Sequence, residues 1–216
     1  EGMDARPIDL DAWPRREHFA HYLERVPCTH ATTVELDATA FVRALAASSR
    51  KTYLAQVWAI ASVVQRHEAL RMTLIDGAPA VWDVVHPTYT VLRPETEAFG
   101  CVWSPYDDDF AAFHEQAAPV LAEHRTSEGL FPMGAPPANA FDVSSLPWTS
   151  FTGFALGLRD AWQHLAPIWT LGRSVERDAP LLPIAVQIHH AAADGVHVAR
   201  ALDDLQELLA APDWIG

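Results

Sequence analysis

The stretch Gln187-Ile188-His189-His190-Ala191-Ala192-Ala193-Asp194-Gly195-Val196-His197 changes character twice. Upstream, residues 183–188 form an apolar run of the length and kind that makes a buried strand. Downstream, Val198, Leu202, Leu205 and Leu209 recur at helical spacing, so a helix is expected over residues 194–210. Two histidines therefore end a strand, three alanines turn the chain, and Asp-Gly opens a helix. A strand end offers a rigid, partly exposed backbone. Imidazole is the side chain that changes charge nearest neutrality. Together these meet the needs of a general base.

Three readings compete for this stretch. In the plainest, Asp194 is a helix N-cap and both histidines are ordinary strand-end residues. In a metal reading, His189, His190 and Asp194 would share a zinc ion. Adjacent strand side chains point to opposite faces, and no H-E-x-x-H or cysteine pair supports the site, so no metal is expected. In the third, one histidine deprotonates a hydroxyl or thiol acceptor during acyl transfer.

Working outward, helical spacing recurs at 16–25 (Phe19, Tyr22) and at 37–48, with Asp37 as cap and Phe41, Leu45 and Ala46 as the stripe. It recurs again at 53–70 (Leu54, Val57, Trp58, Ala61, Val64) and at 110–124 (Phe113, Ala117, Leu121). Strand-like runs lie at 32–36, 71–75, 80–85, 89–92, 99–103, 151–158, 168–172 and 183–188. The order is not a strict βαβα alternation, and neither G-x-G-x-x-G nor a Walker A sequence occurs. An α+β fold is expected, a two-layer sandwich in which helices cover a mixed β-sheet. The 16 prolines and 10 glycines punctuate without forming a linker or repeat, so residues 1–216 read as a single domain.

Composition narrows the function classes. Half of the 216 residues are apolar and 20% are charged, which excludes disorder and coiled coil. A net charge of −13 argues against nucleic acid and anionic membrane as partners. Two cysteines, Cys28 and Cys101, cannot make a disulfide framework. No run is long enough to span a membrane, and Glu1-Gly2-Met3-Asp4 has no leader pattern, so a cytoplasmic protein is expected. Lys51 is the single lysine.

His189-His190-x-x-x-Asp194-Gly195 resembles the H-H-x-x-x-D-G signature of CoA-dependent acyltransferases. Five further blocks extend the likeness: Trp13-Pro14-Arg15-Arg16-Glu17-His18-Phe19, Leu70-Arg71-Met72, Val81-Trp82-Asp83, Leu130-Phe131-Pro132 and Ser144-Ser145-Leu146-Pro147-Trp148. In order and spacing they are similar to the trimeric chloramphenicol acetyltransferase family, from about residue 7 to 209. The resemblance implies the CoA-dependent acyltransferase fold and acetyl transfer from acetyl-CoA, as cosubstrate, to chloramphenicol, with no tightly bound cofactor. It implies His190 as base, its Nδ1 held by its own carbonyl and its Nε2 free for the acceptor hydroxyl. Ser144 would steady the oxyanion, Thr170 would support the intermediate through a water, and Arg15 would pair with Asp194 in a structural role.

By the same resemblance Tyr22, Cys28, Phe99, Phe131 and Leu156 line the acceptor pocket, and Trp148 and Lys51 meet CoA. A homotrimer is implied, with His190 facing a pocket built largely by the neighbouring subunit. One departure stands out. An aromatic that the family often carries near the CoA adenine is replaced by Ser174. Two alternatives remain: an acyltransferase of the same fold with another acceptor, such as a dihydrolipoyl acyltransferase, and a ligand-binding relative without catalysis. Dihydrolipoyl enzymes carry Asp-His-Arg where this chain has His-His-Ala.

Overall fold

The computed structural model describes residues 4–157 and 163–216. The chain starts with a short strand, β1 (Ala5–Pro7), and a helix, α1 (Arg16–Ala20), which continues as one π-helical turn, His21–Arg25. Next come β2 (Thr29–Asp37), α2 (Thr39–Ala46) and α3 (Thr52–Arg66). Four strands, β3 (Met72–Ile75), β4 (Ala78–Trp82), β5 (His86–Arg93) and β6 (Ala98–Trp103), lead to α4 (Phe110–Glu123). Then β7 (Ala140–Leu146), β8 (Ile168–Gly172), β9 (Val175–Glu176) and β10 (Pro180–His189) precede α5 (Gly195–Ala210).

The main sheet runs β2-β10-β8-β7-β5-β6, with β9 beside β10. The pairs β5–β7 and β7–β8 are parallel, and the other pairs are antiparallel. This is the mixed sheet of an α+β fold. A second sheet, β1-β4-β3, closes one end. Its β3–β4 turn is Asp76-Gly77, with φ of 51° and 81°. Two positive φ values in a two-residue loop make a type I′ turn, whose twist suits the flanking strands.

The helix layer centres on α3. Its Leu54, Val57, Ile60 and Val63 are fully buried. Each such side chain contributes about 1.5–3 kcal/mol on leaving water. Trp58 packs against Phe110 and Trp214, with ring centroids 5.5 and 4.6 Å away. Its indole N–H is not orphaned, since it donates to the Asp107 carbonyl at 2.9 Å. Past Arg66 the chain turns extended at His67 (φ −116°, ψ 107°). The helix expected over 53–70 is therefore α3 plus a separate 3-10 turn, Glu68–Leu70.

Three expectations need correction. The strand-like runs expected from the sequence leave out 140–146, where β7 lies. It is a strand with Phe141 and Val143 buried on one face. Asp37 is not the N-cap of α2; Ala38 holds that place, and Asp37 Oδ1 accepts from the Thr39 N–H at 2.8 Å. Residues 151–157 form no strand, and Leu158 lies outside the described residues. Side chains meet this segment's backbone groups instead. Phe154 N–H donates to Thr33 Oγ1 at 3.2 Å, and Leu156 N–H donates to Gln187 Oε1 at 2.8 Å. Gly172 leaves room for Phe151, whose ring would lie 2.9 Å from a Cβ at that position.

Candidate active site

β10 delivers His190 at its end, and the turn after it is held from several sides. The His190 N–H donates to the Cys28 carbonyl at 2.9 Å. His189 is buried, and its Nδ1 accepts the Ala191 N–H at 3.1 Å. Its ring thus serves the turn, whereas the His190 side chain remains 28% exposed. Tyr22 stacks flat on the His190 ring, with centroids 3.8 Å apart and planes 8° apart. His30 meets the same ring edge-on at 5.1 Å, and its Nε2 lies 3.0 Å from the Ala193 carbonyl.

Arg15 fastens the turn to the N-terminal segment. Its Nε and Nη2 donate to Asp194 Oδ2 and Oδ1 at 3.1 and 2.9 Å. Nη1 reaches the carbonyls of Ala191 and Ala192 at 3.0 and 2.8 Å, and Nη2 reaches that of His190 at 3.2 Å. A planar guanidinium with five N–H donors suits this fork geometry, and lysine cannot reproduce it. Burial pushes the Asp194 carboxyl up, but the bonds and charge of Arg15 outweigh it and hold the group below its ordinary range. Asp194 is also the N-cap of α5, where its N–H donates to His197 Nδ1 at 3.0 Å. Burial, then Arg15, pushes His197 down, which matches a nitrogen that must stay unprotonated to accept.

The tautomer arrangement implied by resemblance differs here. The His190 carbonyl is taken by Arg15. Nδ1 makes no hydrogen bond among the described residues and lies 3.2 Å from Asp194 Oδ1.

Ser144 belongs to a different region. It lies on β7 in register with Thr170 of β8, which is in register with Ala185 of β10. His190 stands five residues beyond Ala185. At ~3.3 Å per residue and ~4.8 Å between strands, roughly 16 Å along the sheet and 10 Å across it separate Ser144 from His190. Within one chain the two do not meet.

Ser144 opens instead into a cavity of about 950 Å³, whose lining includes Phe99, Trp148, Lys51, Arg125 and Arg173. Of the charged residues in that lining only Glu97 is acidic. In a chain of charge −13, three cations on one cleft mark a place for an anion. The Lys51 N–H is fixed by His114 Nε2 at 3.1 Å, at the start of α3. Ser174 also lines the cleft, while Thr170 is buried beside Ser144 and is not part of the lining.

The sequence-predicted residues thus fall into two groups. Tyr22 and Cys28 gather at His190; Phe99, Trp148 and Lys51 gather at Ser144. Burial pushes the Cys28 thiol up, away from the reactive thiolate form. Phe131 and Leu156 are exposed, at 48% and 43%, and are not part of the cleft lining. Arg125, Gln56 and Thr90 of the cleft were missed. No local signal marks them, because only the packing of α4, α3 and β5 brings them together. No group able to hold a metal ion is present among the described residues.

Comparison with known proteins adds the following. Residues 3–206 match a family model described as chloramphenicol acetyltransferase. A chloramphenicol acetyltransferase of Streptomyces acrimycini is 65% identical over 211 residues, covering 97% of this chain and 96% of that protein. One from Vibrio anguillarum is 37% identical over 209 residues, covering 96% and 95%. Among solved structures, a chloramphenicol acetyltransferase superposes with a TM-score of 0.85 at 22% identity, covering 95% of this chain and all of the other. The dihydrolipoamide acetyltransferase of Azotobacter vinelandii gives 0.67 at 17% identity over 100% and 93%. At those identities the two structures speak for the fold.

Proposed function

The chain belongs to the chloramphenicol acetyltransferase family, and from that premise we propose that it transfers acetyl from acetyl-CoA to the primary hydroxyl of chloramphenicol, inactivating the antibiotic. The observation that carries this reading is the family match over residues 3–206 joined to a histidine fixed at a strand end by Arg15 and Tyr22.

His190 acts as general base. Its Nε2 takes the proton of the acceptor hydroxyl as that oxygen attacks the thioester carbonyl carbon. The carbonyl electrons move onto oxygen, and the Ser144 hydroxyl donates to the resulting oxyanion. Collapse re-forms the carbonyl, breaks the carbon–sulfur bond, and returns the proton from His190 to the departing CoA sulfur. Both substrates are held together, so no acyl-enzyme is needed. Arg15 and Asp194 hold the turn that carries His190, and Thr170 backs Ser144 from the neighbouring strand. Tyr22, Cys28, Phe99, Phe131 and Leu156 form the acceptor pocket. Trp148 and Lys51, joined by Arg125 and Arg173, receive the phosphorylated cosubstrate.

The separation of His190 from Ser144 supports a homotrimer in which each site joins the histidine of one copy to the cleft of the next. Cyclic closure makes three identical sites. Exposed Phe99, Phe131, Trp148 and Leu156 fit an apolar surface that a second copy covers. No described helix is long and apolar enough to cross a membrane; the enzyme acts in the cytoplasm, where acetyl-CoA is available. The deciding test measures thiol release from acetyl-CoA. Release is expected only with chloramphenicol present, and a rate equal to the enzyme-free blank overturns the reading.

A further inference from the structure

Three glutamines use their side-chain amide as a piece of backbone. Gln65 donates to the Val85 carbonyl and accepts from the Val85 N–H. Gln206 does the same with Asp37, at 3.0 and 2.9 Å. Gln187 does it with Leu156: Oε1 accepts the N–H at 2.8 Å, and Nε2 donates to the carbonyl at 3.1 Å. The first two join parts of the scaffold, α3 to the entry of β5 and α5 to the end of β2. The third is different. Gln187 lies inside β10, is 5% exposed, and also reaches Thr29 Oγ1 at 3.3 Å.

What Gln187 holds is a strap without a strand partner, 151–157. The strap's other anchors are Phe151 against Gly172 and the Phe154 N–H on Thr33. Leu156 itself is 43% exposed. Its backbone is pinned by two hydrogen bonds while the residue stays outside the buried core. The two amide hydrogen bonds are the contacts that hold the Leu156 backbone in place.

We propose that Gln187 is a positioning residue for the acceptor pocket, setting the place of Leu156 by clamping both of its backbone groups. This rests on the acceptor-pocket reading above. It assigns part of acceptor affinity to a buried polar residue three positions before His190 that need not touch either substrate. A buried amide that loses its partner is costly, so the clamp is either made or the strap leaves.

The test compares Gln187→Leu with Gln206→Leu, a clamp remote from both halves of the site. Hydrogen exchange and kinetics are read on both full chains. In Gln187→Leu, amide exchange across 151–157 should quicken at least tenfold. The KM for chloramphenicol should rise about tenfold, while the KM for acetyl-CoA and kcat stay within about threefold of wild type. Gln206→Leu should lower Tm and leave exchange at 151–157 and both KM values unchanged. Gln187→Glu keeps the acceptor but sets a carboxylate oxygen against the Leu156 carbonyl; it should change exchange and the KM for chloramphenicol in the same direction and carries the test if the leucine variant does not fold. Unchanged exchange at 151–157 overturns the clamp, whether or not the wild-type chain acts on chloramphenicol. Faster exchange with an unchanged KM for chloramphenicol, or with kcat and both KM values moving together, overturns the positioning role.

Discussion

The His190 turn and the Ser144 cleft are built on opposite plans. At the turn, three successive backbone carbonyls and both carboxylate oxygens of Asp194 receive one guanidinium, and a tyrosine ring lies flat on the imidazole. Little there is free to move. The cleft is about 950 Å³ of open space, with Lys51, Arg125 and Arg173 exposed and Trp148 at 60% exposure. The difference follows from what each half does under the proposed reaction. A proton acceptor gains from a fixed geometry before substrate arrives. A cleft that admits a long, charged cosubstrate has to remain open and solvated until then.

Breaking each half separately gives the largest effects. His190→Ala should lower kcat by roughly 10²–10⁴-fold with the fold intact. His189→Ala should act mainly on Tm, because the His189 ring is buried in the turn. An inactive His189→Ala beside an active His190→Ala would reverse the choice of base. Ser144→Ala should cost roughly 10²–10³-fold, the usual loss of one oxyanion donor. Co-expression of the two inactive variants then separates one-chain from two-chain sites. If each site takes His190 from one copy and Ser144 from the next, random mixing restores about one quarter of the sites. Recovery near zero would place both residues in one chain's site.

Asp194→Asn sharpens the stability side of the comparison. The Asp194 side chain is 29% exposed, so the expected loss is about 1–3 kcal/mol, below that of a fully buried pair. Because the folded carboxyl titrates below its ordinary 3.8, its stabilisation is present above that value and is lost as pH falls through the lower folded value. The acid limb in Tm should therefore be steeper in the wild type than in the asparagine variant, where Asp37 and Asp142, also held below their ordinary range, still contribute. A variant with wild-type Tm and no activity would point to a chemical role for Asp194.

The smallest effect concerns Ser174 on the cleft wall. Ser174→Tyr should lower the KM for acetyl-CoA about fivefold through stacking on a base, with kcat unchanged. An unchanged or raised KM would mean that Arg173 or the neighbouring loop already covers that position.

Much of the fold was legible because long segments carry one period. The stripe of α5 and the apolar run of β10 admit no second reading. β7 was not legible: Asp142 and Ser144 alternate with buried Phe141 and Val143, but the alternation is only two pairs long and the polar Ser144-Ser145 that follows breaks it. Residues 151–157 failed the other way. Phe151, Phe154 and Leu156 have strand composition, yet their hydrogen bonds go to Thr33 and Gln187, which no local pattern announces. Of the site, the residues carried by motif are present in two groups, but their division between a turn and a cleft depends on register across three strands. Distances of that kind are not written in any one stretch of sequence.

The Arg15 clamp has a consequence for how the molecule is made. Its partners lie 175 to 179 residues downstream. At about 5–20 residues per second, Arg15 leaves the ribosome roughly 10–40 s before Asp194 does. Through that interval the N-terminal arm has no carboxylate to bind, and the strand end that orients the histidine does not yet exist. A contact of such sequence separation is closed late and slowly in folding. The His190 turn is thus fastened only after nearly everything else is in place, and a polypeptide released before residue 190 holds an intact Arg15 with none of these partners.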